Sequence, residues 1–177
     1  MKIIFFTLCL LSSFIVHGQS EAITLPEKDG KIFFEEIILV DTVNKDQLYK
    51  RAKLWVINSF KNEKYVTSTD DKDLGELKGT GRFSILKDQD VLFTFRISVK
   101  DFKYKYNFSD IVYLDNNGNR TSIDLQYYYD YYKSGKKLGR GMMIKYLKES
   151  KSKIEQLIAS LKLGMTTTID DWYNLNF

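Results

Sequence analysis

Apolar and polar positions alternate with a period of two along most of the chain and switch to a helical period in two places. Lys31 to Val40 is β-branched and aromatic at its ends, with Glu35 and Glu36 in the middle. This predicts a strand that is half buried or near an edge. Asn44 is a good N-cap, and Gln47 three residues later completes a capping-box pattern. Leu48, Ala52, Trp55 and Ser59 form one row, and Leu48, Ala52, Val56 and Phe60 an adjacent one. The two rows give a helix one apolar face anchored by Trp55, ending near Asn62, with Lys45, Lys50, Arg51, Lys53 and Lys61 mainly off that face.

Strands are expected at 65–69 and 77–86, joined by an acidic turn. Gly79 and Gly81 inside the second point to a bulge or a close backbone approach. Residues 87–90 form a turn. Phe93, Phe95, Ile97 and Val99 share one side of the next strand, and Tyr104, Tyr106 and Phe108 one side of the strand after Asp101-Phe102. This is an antiparallel meander. Asn117-Gly118 is a strong hairpin signal. Its partner is expected as a strand over 120–129, with Ile123, Leu125, Tyr127 and Tyr129 on one face. After a loop over 134–141, Leu147, Ile154, Leu157, Ile158 and Leu161 trace a second helical stripe within 142–163, with Gly164 as a stop. Residues 165–177 end apolar, with Trp172 and Phe177, and are expected to dock.

The order strand, helix, antiparallel strands, helix resembles an exported bacterial family. Gly30-Lys-Ile-Phe33, the helix bearing Trp55, Gly79-Thr-Gly-Arg-Phe83 and Tyr104-Lys-Tyr-Asn-Phe-Ser-Asp-Ile111 carry the resemblance. The family is the domain of unknown function 4468, with a TBP-like fold, found in Bacteroidota. The likeness covers about 31–111, with 154–163 as a looser match. It implies an α+β fold: a curved antiparallel β-sheet with helices packed on one face, in the order β-α-β-β-β-β-α. It does not imply DNA binding, because fold and function separate.

Met1 to Gly18 reads as a signal peptide: Lys2, an apolar run from Ile3 to Val16, and small residues at a cut before Gln19. Residues 19–30, with the single proline Pro26, read as a flexible N-terminal arm, and 31–164 as one α+β domain. Cleavage removes Cys9 and His17, the only cysteine and histidine. The mature chain then has no thiol nucleophile, imidazole base or Cys/His zinc site, and no transmembrane helix. The location expected is the periplasm or the cell surface.

A net charge of +4 is spread among acids, so it sets no nucleic-acid footprint. Glu35 and Glu36 point to opposite faces of their strand and cannot act as a pair. Asp70, Asp71 and Asp73 lack the glycine and distal glutamate of a calcium loop, and Asp115 to Asn119 fits a hairpin better. The glycines and lysines of 135–141 are out of order for a phosphate loop. Ser150-Lys-Ser-Lys153 matches a Ser/Lys catalytic motif by letters only. No metal or cofactor is expected.

The most unusual stretch is Tyr127-Tyr-Tyr-Asp-Tyr-Tyr132. On a strand its side chains alternate between faces. The outward ones would form an aromatic platform, with Tyr128, Tyr131, Tyr132 and Arg140 as the candidate interaction surface. Packing against the tail or Trp172 is the competing account. The function expected is an exported, non-catalytic binding module whose partner is an envelope protein or a glycan, not a nucleic acid. The alternative is a carboxylate-dependent hydrolase of glycans.

Overall fold

The computed structural model describes residues 22–60, 66–136 and 139–167. The residues read as a signal peptide, with Cys9 and His17, and residues 168–177 of the tail expected to dock, with Trp172 and Phe177, lie outside them. The chain opens with a two-stranded ribbon, β1 (Glu27–Lys28) and β2 (Lys31–Ile32). Asp29 and Gly30 turn it with φ of 51° and 72°, the left-handed pair a tight hairpin needs. Then follow β3 (Phe34–Leu39), α1 (Lys45–Ser59), β4 (Val66–Asp71), β5 (Glu76–Ile85), β6 (Gln89–Lys100) and β7 (Lys103–Leu114). The order closes with β8 (Arg120–Asp124), α2 (Leu125–Lys133) and α3 (Arg140–Thr166).

The main sheet is antiparallel, in the order β3-β7-β6-β5-β4, and β8 pairs with the far end of β7. β3 is therefore one edge and β4 the other, with α1 crossing between them. The fold is α+β, a curved open sheet with its helices on one face. Alternation decides which face: Phe93, Phe95, Ile97, Tyr104, Tyr106 and Phe108 are all buried under the helices. Trp55 stands at the centre, edge-on to Phe60 and Phe108, and its indole N–H donates to Ser160 Oγ at 2.9 Å, tying α1 to α3.

Local chemistry follows the sequence closely as far as β7. Asn44 caps α1, its side chain accepting from the Gln47 amide at 2.9 Å. Gly81 lies under Phe93 and Phe60, where a Cβ would come within 2.4 Å and 3.0 Å of the rings, so the backbone there must be bare. The register shift on β4 between Thr67 and Thr69 falls opposite Gly79. Asp115 accepts from the amides of Asn117 and Asn119, and Gly118 turns the hairpin with φ 80°.

Four expectations are corrected. The strand over 120–129 stops at Asp124, because the Asp124 side chain accepts from the Tyr127 amide at 2.7 Å and starts a helix. Gly164 does not end the second helix, which runs to Thr166; Met165 beyond it is fully buried. Arg51 is buried with the apolar face of α1. Over 22–30, the described part of the arm expected to be flexible, the chain is held: Ile23 and Leu25 are buried, and their amides donate to the Tyr132 and Tyr129 hydroxyls at 3.1 Å and 3.2 Å.

Candidate functional site

The described helices lie on one face, so among the described residues the other face of the sheet is open. Register places Glu35, Ile37 and Leu39 of β3 on it, opposite Asn107, Lys105 and Lys103 of β7. Arg96, Ser98 and Lys100 of β6 follow in the next row, then Lys78 and Glu76 of β5. Much of the charge here is internally matched. Lys105 pairs with Glu35 at 2.6 Å, Arg96 with Glu76 at 3.6 Å, and Arg82 with Asp90. Lys100 and Lys103 are exposed and have no ion pair among the described residues.

One corner of this face is apolar. Ile37 is 62% exposed and Leu39 74%; Phe102, 55% exposed, belongs to the adjoining turn and not to the face. Phe102 sits in the β6–β7 turn with φ 63°, held there because its amide donates to the Val43 carbonyl and its carbonyl accepts from the Val40 amide, both at 2.9 Å. The adjoining depression, of about 250 Å³, is lined by Ile37, Ser98, Lys100, Lys103, Tyr104 and Lys105. An apolar floor with a cationic rim is suited to an amphipathic, acidic partner.

A second depression, of about 420 Å³, lies between the N-terminal ribbon, β7 and the start of α2. A bulge in β7 puts Asp110 at φ 51° on its wall, and Asp124 lies on the wall as well. Asp124 is committed to capping α2. Gln126 accepts from the Ile32 amide at 2.7 Å and donates to Glu27 and Asp130. The groups lining this cleft are largely spent on holding the ribbon to α2.

The tyrosine run lies on a helix, and the helical period redistributes it. Leu125, Tyr128, Tyr129 and Tyr132 stand at spacings of three and four, the inward stripe of α2. Tyr128 is only 9% exposed, its ring 4.7 Å from Tyr113 and 6.0 Å from Tyr146. Tyr132 is half-buried and stacks on Tyr129 at 6.4 Å. Tyr131 is half-buried, and its carbonyl accepts from Ser134 Oγ. Arg140 begins α3, and its side chain is not among those described. The structure thus gathers Tyr128 and Tyr132 into the packing of the N-terminal segment and α3 and leaves Tyr131 off that stripe. The period-three-and-four spacing was the signal for this; the strand preference of tyrosine masked it.

Arg51 is the buried charge that sequence reasoning missed. Its Nη1 donates to the Met165 carbonyl at 2.8 Å, at the C-terminal end of α3 where the helix dipole favours a cation. Burial lowers its pKa, and its Nε has no hydrogen-bond partner among the described residues. Among the described residues no three His, Cys, Asp or Glu side chains cluster as metal ligands, and no helix is long and apolar enough to cross a membrane.

Comparison with known proteins gives the fold and no activity. The model of the domain of unknown function DUF4468, with TBP-like fold, matches residues 34–114, the start of β3 to the end of β7. A solved TBP-like protein from Parabacteroides distasonis is similar with a TM-score of 0.69 at 16% identity, covering 81% of this chain and 97% of that one. A DUF4468 family protein from Bacteroides ovatus is similar with a TM-score of 0.60 at 18% identity, covering 81% and 91%. No functionally curated protein matches.

Proposed function

For a chain whose residues 34–114 carry the DUF4468 domain, we propose an exported, non-catalytic binding module of the bacterial cell envelope. It engages its partner through the open face of its sheet. The observation that carries this reading is the exposed apolar pair Ile37 and Leu39 beside Lys100 and Lys103, which have no ion pair among the described residues. Large exposed apolar side chains grouped at one place mark interaction sites more often than single ones do. The amino-terminal pattern of Met1 to Gly18 supports export, with the mature chain starting near Gln19 in the periplasm or at the cell surface. The partner is an envelope protein or glycan and not a nucleic acid, since acids are interleaved with the lysines across the open face.

The test is capture from an envelope fraction by immobilised protein. An Ile37→Asp/Leu39→Asp bait should lose the specific partner while melting close to wild type. A Tyr131→Ala bait should keep it. Equal capture by the first bait and wild type would move the binding surface elsewhere.

A carboxylate-dependent glycan hydrolase is the second reading, and the pairing of Asp110 and Asp124 on one cleft is what favours it. The commitment of Asp124 to the α2 cap weighs against it, because a protonated general acid there would weaken the cap. Turnover on envelope glycans that disappears in Asp110→Asn would establish this reading over the first.

A further inference from the structure

The reading above leaves the partner's chemistry open, and the edge of the sheet narrows it. Among the described residues β3 pairs with β7 alone, so one side of its backbone carries amides and carbonyls with no strand beside them. Natural edges of this kind are blunted by prolines, bulges or exposed like charge. β3 has no proline, and its pairing with β7 is in register throughout. Its two carboxylates are neutralised. Glu35 is held by Lys105 at 2.6 Å and Lys28 at 3.0 Å, and Glu36 by Lys162 at 2.6 Å. The edge is thus electrically quiet, while Ile37 and Leu39 stand out from its open face.

We propose that β3 is a docking edge for an extended, acidic segment of another protein, which adds to the sheet as a further strand. This rests on the binding-module reading and gives that module its class of partner. Backbone hydrogen bonds to β3 supply affinity, as in other strand-addition complexes, and alternate side chains supply specificity. On the open face of the added strand, apolar residues pack on Ile37 and Leu39. Acidic residues between them face the positive field of Lys103 and, a strand further in, Lys100, which lack carboxylate partners among the described residues.

Charge decides against a second copy of this chain as occupant. Pairing β3 with β3 would bring two sets of Lys100 and Lys103 onto the same face of the joined sheet, while the second copy's Glu35 and Glu76 stay with its own Lys105 and Arg96 and leave those lysines unanswered. Backbone decides against a lipid surface. Seating Ile37 and Leu39 in a membrane would take the unpaired edge groups out of water with nothing to receive them.

The test uses a synthetic peptide of repeated Val-Thr-Glu-Thr, which presents valine and glutamate alternately on one face of a strand. Its controls are the Val-Thr-Lys-Thr analogue, the same acidic peptide N-methylated at alternate residues, and vesicles containing phosphatidylglycerol. Binding to the full mature chain is followed by anisotropy and by amide chemical shifts. The acidic peptide should perturb the amides of residues 34–39 and bind at least about tenfold more tightly than either peptide control. Lys100→Glu/Lys103→Glu should weaken it by about tenfold and leave the melting temperature near wild type. Equal binding of the acidic and basic peptides, shifts confined to other elements, or retention by vesicles alone would overturn the proposal. Self-association abolished by Ile37→Asp would overturn it in favour of a second copy. If the peptide arms fail while Ile37→Asp/Leu39→Asp still abolishes capture from the envelope, strand addition is lost and the open-face reading stands. If that capture is also unchanged, the open-face reading fails with it.

Discussion

Lys162 of α3 reaches over the edge of the sheet and places its Nζ 2.6 Å from Glu36 Oε2 on β3. The same carboxylate oxygen accepts from the Tyr106 hydroxyl at 2.8 Å. One carboxylate therefore ties α3, the edge strand and its neighbour together. Lys162 first and Tyr106 second hold the Glu36 carboxyl below the usual carboxylate range. A lowered folded-state pKa stabilises the fold above the ordinary carboxylate pKa, and that stabilisation is lost as pH falls through the folded value. Melting temperature should decline on acidification below the ordinary carboxylate range. Glu36→Gln should destabilise the fold slightly at neutral pH, by the ~0.2–1 kcal/mol of a solvent-screened pair, and make the acid decline in melting temperature shallower. A variant with the same acid profile as wild type would show that Glu36 contributes nothing.

Trp55 is buried where α1, α3 and β7 meet. Trp55→Ala removes two edge-on ring contacts and leaves a large cavity, so it should cost about 3–5 kcal/mol in denaturant unfolding. Ser160→Ala removes only the indole's acceptor and should cost about 1 kcal/mol. The ranking of the two is the check: a serine change as damaging as the tryptophan change would mean the hydrogen bond, not the packing, holds the layers.

Gly81→Ala should destabilise by about 1–3 kcal/mol through overpacking, since its Cβ would press on Phe93 and Phe60. Gly118→Ala meets no neighbouring atom within 4 Å. Any cost there comes from its φ of 80° alone. Equilibrium unfolding of both variants separates steric from conformational glycine.

The sequence-level reading works where one period rules one element, as with Phe93, Phe95, Ile97 and Val99 on a strand or Leu48, Ala52 and Trp55 on a helix. It fails at Leu125 to Lys133, where tyrosine favours strands and a capping aspartate favours a helix. The cap and the tertiary packing of Tyr128 and Tyr129 win. The candidate platform was misread for that reason, because alternation sends neighbouring tyrosines to opposite faces and a helix does not. The open face was hidden for a different reason. Glu35, Ile37 and Leu39 look like an ordinary half-buried strand, and only the order of the strands shows that, among the described residues, no strand pairs on their outer side.

The N-terminal segment makes a further test of the tyrosines. Tyr129 and Tyr132 receive the amides of Leu25 and Ile23. Tyr129→Phe/Tyr132→Phe keeps the rings and removes both acceptors. Exchange at those two amides should accelerate while exchange in β6 stays unchanged. Unchanged protection at Ile23 and Leu25 would mean that burial alone holds the segment.

Photo-crosslinking in the envelope most directly tests whether the open face meets the partner. A photoreactive residue replaces Leu39 or Lys103 on the open face, and Lys153 or Glu155 on the outer helix layer, each in the exported full-length chain. The account predicts a discrete, reproducible adduct from Leu39 and Lys103 that is lost when Ile37→Asp is added, and none from the helix positions. Adducts from Lys153 or Glu155, with Leu39 and Lys103 silent, would contradict it.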